Sequence, residues 1–222
     1  MATRHKAGFF MDINMKKFLI AGGNITLLVR NCANGQRDTI IKQQLGNVEQ
    51  VGFIKNNRLT MMGNELCINA MIAFAYELTG KGILYASGVN GEVFYSNEES
   101  KTNIKMSLSI IRLDNVILFS GIGYLCTNKN IKISREFLYG LAKNYKLPAF
   151  GIAKYINNIL IPYVYVLKTN SLFQETSCGS GSIATSIYWN TREVIQPTGQ
   201  IISVKRIGEV VTISAQVKRI IN

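Results

Sequence analysis

Two cysteines stand in matching surroundings, one in each half of the chain: Met62-Gly63-Asn64-Glu65-Leu66-Cys67-Ile68-Asn69-Ala70 and Glu175-Thr176-Ser177-Cys178-Gly179-Ser180-Gly181-Ser182. Each Cys ends an extended segment and precedes a helix-like stretch, residues 70–78 in the first case and 183–189 in the second. A fold that satisfies both must present two strand-to-helix junctions of the same kind. A thiol at such a junction lies against free backbone N–H groups and the positive end of the helix dipole, which favours thiolate over thiol. The same N–H groups form a seat for a carboxylate. One such site points to a nucleophile; two point to a pair of acid–base thiols facing one substrate carbon. Taken singly, each has an ordinary alternative: a buried Cys is a small apolar filler, and Cys-Gly-Ser-Gly is a tight turn.

The pattern between these motifs repeats in outline. Residues 18–20 and 25–29 read as strands around the break Ala21-Gly22-Gly23-Asn24, and 38–45 as a short helix with Asp38 near its start. Strands follow at 49–54 and 59–62, joined by the turn Lys55-Asn56-Asn57-Arg58, and then the first Cys helix. Further strands are expected at 82–86, 92–96 and 104–112. Leu113-Asp114-Asn115 reads as a hinge. Beyond it come a strand-rich stretch at 116–127, a helix at 134–145, strands at 149–155 and 159–168, and the second Cys helix at 179–189. Strands at 201–205, 210–213 and 216–220 close the chain. Pro162 places its strand at a sheet edge, or starts the strand after it.

The sequence therefore predicts an α+β protein of two similar lobes, each a strand-rich layer around a central helix, with the two helix N-termini facing across a cleft. The first lobe spans 15–113 and the second 114–213, with a closing strand for the first drawn from 214–222. The halves share little sequence identity, so the repeat is one of architecture.

With 222 residues, 47% of them hydrophobic, the chain can bury a real core. The four cysteines (Cys32, Cys67, Cys126, Cys178) show no CxxC spacing and are joined by one His, which argues against zinc. That His, His5, falls in residues 1–14, a stretch unlike the rest; Met15-Lys16-Lys17-Phe18-Leu19-Ile20 reads as a natural protein start. No secretory signal or bilayer-length apolar run is present, so a cytoplasmic, reduced protein without a membrane role is expected. The net charge of +12 is spread over scattered residues such as Lys42, Lys101, Lys143 and Arg219, with no cluster interleaved with aromatics. A solvated basic surface that draws in an anionic substrate fits better than a nucleic-acid footprint.

Inverting a stereocentre takes a proton off one face and delivers another to the opposite face, one base on each side. The α-proton of an amino acid is weakly acidic, so N–H groups from two helix starts, aimed at the α-carboxylate, would stabilise the carbanion. Free Cys titrates at roughly 8.5, within reach of both roles. No cofactor is called for: P-loop and Rossmann glycine patterns are absent, and no lysine stands out for pyridoxal phosphate.

At these residues the chain resembles the cofactor-independent, diaminopimelate-epimerase-like racemases, above all the histidine racemases of staphylopine-type metallophore pathways. Residues 18–29 with Gly23-Asn24, Glu49-Gln50-Val51-Gly52-Phe53-Ile54 and the two Cys motifs carry the match, with Gln196-Pro197-Thr198-Gly199-Gln200 and Ser214-Ala215-Gln216-Val217 as weaker support. The resemblance implies that Cys67 and Cys178 are the acid–base thiols. Backbone N–H groups of Ile68, Asn69, Gly179 and Ser180 would hold the α-carboxylate, Asn24 would line the pocket, and Glu49 would meet the amino group or imidazole. By spacing alone Glu49 is equally an exposed strand carboxylate, and Asn24 a turn residue. Two departures stand out: Ile68 replaces the usual Gly after the first Cys, and Thr169-Asn170 stands where diaminopimelate epimerases carry Glu-Arg. The expected activity is L/D-histidine racemisation, supplying D-histidine to a metallophore. A racemase for another amino acid, a diaminopimelate epimerase and a non-catalytic amino-acid-binding protein are the alternatives. The partner is a small amino acid, with a homodimer left open.

Overall fold

The computed structural model describes residues 13–99 and 101–221; His5 and the rest of the leading segment before Ile13 lie outside them. Strands β1 (Asn14–Ile20) and β2 (Ile25–Arg30) form an antiparallel hairpin, Leu19 opposite Ile25. The turn between them needs positive φ at Ala21 (44°) and Gly22 (69°). Helix α1 (Arg37–Gln44) then carries the chain to β3 (Gln50–Lys55), which runs parallel to β2. β4 (Arg58–Met61) returns antiparallel to β3, and α2 (Ile68–Leu78) crosses over to β5 (Lys81–Ala86), parallel to β4. β6 (Val93–Asn97) and β7 (Thr102–Ser107) complete an antiparallel meander. Where one strand was expected over 104–112 the ladder breaks at Leu108–Ile110, and a short β8 (Ile111–Leu113) follows.

The same sequence of pairings then recurs. β9 (Val116–Phe119) and β10 (Ile122–Thr127) form a hairpin, α3 (Arg135–Asn144) crosses to a parallel β11 (Ala149–Ile156), and β12 (Ile159–Val166) returns antiparallel. Asn157 and Asn158, both with positive φ, make the two-residue turn whose twist suits such a hairpin. A short β13 (Ser171–Gln174) is inserted before α4 (Gly179–Trp189), which crosses to β14 (Glu193–Ile195), parallel to β12. β15 (Ile201–Ile207) and β16 (Val210–Ala215) finish the second meander. β7 and β16 pair antiparallel with each other, Ile104 opposite Ile213, and join the two sets of strands.

The closing strands are exchanged. β8 pairs with β9, and β17 (Val217–Ile220) returns to pair with β1. Asp114-Asn115, read above as a hinge, form the tight turn between β8 and β9, with Asp114 at φ 52°. Pro162 does not mark an edge or a start. It lies inside β12, between β11 on one side and β13 and β14 on the other. Its carbonyl accepts from Glu175 N–H at 2.9 Å, so its missing N–H faces the gap where β13 has ended and β14 has yet to pair.

Helices α2 and α4 are surrounded by these strands and touch each other. Ile68 to Ala75 are all buried, as are Gly179 to Thr185, so neither helix has a wet face over its first two turns. That explains the near-continuous apolar or small side chains in both. β11 lies between α4 and α3 and reads as an unbroken buried run, Ala149–Ala153, for the same reason. No helix among the described residues is long and apolar enough to cross a membrane.

Candidate active site

The structure brings the two cysteine motifs together end to end. Cys67 and Cys178 are the N-cap residues of α2 and α4, both in extended backbone (φ −130° and −145°). Each helix therefore begins at the residue after its Cys, two residues earlier for α2 than its apolar pattern indicated. The sulfurs take the capping role that Ser or Asp usually fills: Cys67 Sγ accepts from Ala70 N–H at 3.4 Å and Cys178 Sγ from Gly181 N–H at 3.2 Å. Leu66, which leads into Cys67, is threaded past two glycines. A Cβ on Gly88 would lie 2.6 Å from Leu66 Cα, and one on Gly121 2.8 Å from Leu66 N.

Between the helix starts there is contact rather than space. Ile68 Cγ2 would lie 2.5 Å from a Cβ on Gly179, so the isoleucine is accommodated by the glycine opposite. The Asn69 side chain spans the junction, accepting from Gly179 N–H at 2.9 Å and donating to Ser177 C=O at 3.0 Å. Of the four N–H groups expected to hold a carboxylate, Gly179's is thus occupied. Those of Ile68 and Ser180 find no acceptor among the described residues, while that of Asn69 is turned toward Cys67 Sγ.

Around the thiols runs a buried polar network. Cys67 S–H donates to Gln50 Oε1 at 2.9 Å, and Thr26 Oγ1 lies 3.3 Å from the same oxygen. Gln50 Nε2 donates to Glu175 Oε1 at 2.6 Å, and Asn24 Nδ2 points at the same oxygen from 3.5 Å. Asn24 is buried, its Oδ1 accepting from Thr26 at 2.8 Å. The loop that holds it is fixed by close approach: a Cβ on Gly23 would lie 2.8 Å from the Thr176 carbonyl. On the other side, Tyr124 OH lies 3.3 Å from Cys178 Sγ and 2.8 Å from Ser180 Oγ. Gln196 accepts from Cys178 N–H at 2.9 Å and donates to Ser182 and to Val194 C=O, which locks the backbone of the cap. Glu49 stands one residue before β3, half-buried, with Thr176 Oγ1 donating to it at 3.3 Å and its other oxygen unpaired.

Gln50, Tyr124, Glu175 and Gln196 belong to this constellation although sequence reasoning assigned them no role. Glu175 lies three residues before Cys178 and Gln50 beside Glu49, so both sat inside quoted segments. Tyr124 carries no local signal, because only the pairing of β10 with β11 aims it at α4.

The electrostatics reverse the expectation of a ready thiolate. Cys67 is 5% exposed and Cys178 2%. Burial pushes both thiols well above their ordinary range, and neighbouring carboxyls push further: Glu65 and Glu175 at Cys67, Glu175 at Cys178. The capping N–H groups lower both, but by less than desolvation raises them. Burial also lifts the carboxyls, Glu49 and Glu65 to about 7 and Glu175 to about 8. The closed site at neutral pH thus holds two thiols among carboxyls of raised pKa. Among the described residues no three His, Cys, Asp or Glu side chains gather in a metal-holding group. A cavity of about 670 Å³ lined by Arg30, Cys32, Arg37, Phe53 and Lys55 lies apart from this network and shares no residue with it.

No protein-family model matches the chain. Two histidine racemases from strains of Fusobacterium nucleatum subsp. nucleatum do: one is 30% identical, covering 80% of this chain and 83% of its own, and the other 31% identical, covering 80% and 84%. The chain belongs to the histidine racemase family. As a member it is an isomerase of the racemase and epimerase kind. Solved structures agree on the fold. A predicted epimerase from Pseudomonas aeruginosa superposes with a TM-score of 0.62 at 8% identity, covering 95% of this chain and 98% of that one. A PhzC/PhzF phenazine-biosynthesis protein from Clostridium difficile gives 0.59 at 14%, covering 94% and 97%. In this family member, the two capped helix starts meet at Ile68, Asn69 and Gly179.

Proposed function

We propose that the protein interconverts L- and D-histidine by a two-base thiol mechanism, in a cleft between two similar lobes that meet at β7 and β16. The observation that carries the reading is the paired N-cap cysteines at abutting helix starts, in a chain whose curated relatives are histidine racemases. One sulfur, as thiolate, takes the α-proton, and the other, as thiol, delivers a proton to the opposite face; the reverse direction exchanges the roles. The N–H groups of Ile68, Asn69 and Ser180 receive the α-carboxylate and steady the carbanion. With both thiols shut from water, entry requires the helix starts to part, and the carboxylate then takes the Gly179 N–H from Asn69. Glu49, half-buried at the rim with a free oxygen, is the group for the imidazole or the α-ammonium.

The test is to incubate purified protein with L-histidine and a panel of other L-amino acids and follow optical activity by circular dichroism. Loss of signal with histidine, and little with the others, is the expected result. Loss only with another amino acid would move the substrate assignment, and silence throughout would favour an amino-acid-binding protein.

A further inference from the structure

The β2–α1–β3 crossover leaves a cavity at the opposite end of its strands from the thiols. β2 and β3 run parallel, Arg30 beside Ile54, and the cavity of about 670 Å³ opens past their carboxyl ends, against the start of α1. Gln50, which touches Cys67, begins β3, and Lys55, which lines the cavity, ends it. At about 3.3 Å per residue the strand puts roughly 16 Å between them. Crevices at the carboxyl ends of parallel strands, closed by the start of the crossover helix, are recurrent seats for anionic ligands. A volume of this size suits a small molecule.

The lining carries charge of one sign. Arg30, Arg37 and Lys55 contribute to it, and no Asp or Glu stands among the described residues that line it. Arg30 is held by Glu77, its Nη2 3.2 Å from Oε2. Arg37 and Lys55 have no ion-pair partner among the described residues, and Asp38, next to Arg37 in α1, turns instead to Lys168 at 3.5 Å. The Arg37 guanidinium lies over the Phe53 ring, 5.0 Å from its centroid, and its Nε is buried with no hydrogen-bond partner. A charged donor shut from water without an acceptor is costly, and an acceptor brought in from outside would relieve that cost. We propose that this cavity is a binding site, separate from the paired thiols, for a small organic anion bearing phosphate or carboxylate groups. Arg37, steadied on Phe53, offers its planar fork to the oxyanion, and Lys55 adds a second charge from the end of β3. The amides of Asn31 and Asn56 lie within reach of the ligand's neutral part, against the apolar wall of Val29 and Ile54. The site stands whether or not the two thiols racemise histidine. Cys32 lines the same cavity and, alone of the four cysteines, is not buried, so its thiol reports on occupancy.

The test titrates the full chain with AMP, with citrate and with uncharged adenosine by isothermal titration calorimetry. In parallel, the rate at which iodoacetamide labels Cys32 is followed by peptide mass spectrometry. At least one of the two anions should bind and slow the labelling of Cys32, while adenosine should do neither. AMP alone identifies phosphate as the group bound, citrate alone identifies carboxylate, and both together mark a site that selects by charge. Arg37→Gln should weaken binding about 10-fold or more and Lys55→Gln about threefold. Lys55 is exposed, so its variant keeps the fold even where loss of the Arg37–Phe53 contact does not. Failure of both anions to bind at about 1 mM overturns the proposal. So does binding that neither variant weakens, or binding that leaves Cys32 labelled at its ligand-free rate.

Discussion

Four cysteines in three kinds of surroundings show how position decides reactivity. Cys126 is buried beside Ala184 C=O, with its thiol pushed up to about 12 by burial, and Cys32 is partly exposed at the far cavity. Neither touches the polar network. Cys126→Ala and Cys32→Ala should each keep substantially the parent exchange rate, measured by NMR in D₂O. Cys67→Ser and Cys178→Ser should each lose it by several orders of magnitude while keeping their circular-dichroism spectra; full activity in either would end the two-base mechanism. The sequence made these two thiols legible because their neighbours are local. It misjudged their ionisation, since burial comes from strands far along the chain. Glu175 and Gln50 meet across 125 positions, Tyr124 and Cys178 across 54. No spacing rule sees such pairs.

Elements were read well where a local pattern existed. The Asn-rich and Gly-rich turns, the apolar strands and both Cys helices fall where expected, and Ser134 caps α3 by accepting from Phe137 N–H at 3.2 Å. β13 and β14, four and three residues long, escaped notice because they are held by partners rather than by propensity. Pro162 misled for a related reason: a missing donor is harmless where the neighbouring strand changes. The helices offer the sharper tests. Phe74 is fully buried in α2 against the surrounding strands, and Phe74→Ala should cost about 3–5 kcal/mol in a denaturant titration. Gly179→Ala would place a methyl group on Ile68 and drive the helix starts apart. It should cost about 1–3 kcal/mol, and pairing it with Ile68→Ala should restore much of the loss if the Ile68–Gly179 contact is its cause.

The fold taken as one body exchanges its closing strands, β8 to the second half and β17 to the first, so neither half is complete without the other. Its charge distribution gives a pH signature. Glu49, Glu65 and Glu175 have folded-state pKa values raised by burial to about 7, 7 and 8, above the ordinary carboxylate value. The folded state then binds more protons than the unfolded chain between about pH 4.5 and 8, so these groups stabilise most in acid and lose that stability as pH rises through 7 to 8. Burial lifts Glu77 too, but Lys16 and Arg30 more than offset it, so its contribution is lost on acidification instead. Thermal unfolding should therefore show a melting temperature highest near pH 5–6 and falling toward pH 8.5. A melting temperature that rises across that window would mean the carboxyls are not buried as described.

Two facing thiols leave an isotopic mark that one base does not. L-Histidine is incubated with the protein in D₂O and, at a few per cent conversion, the enantiomers are separated and weighed by mass spectrometry. The D-histidine formed should carry one deuterium at Cα, delivered by the second sulfur, while the remaining L-histidine keeps its protium. D-Histidine that retains protium, or deuterium entering the unreacted L-histidine as fast as product forms, would contradict the two-base account.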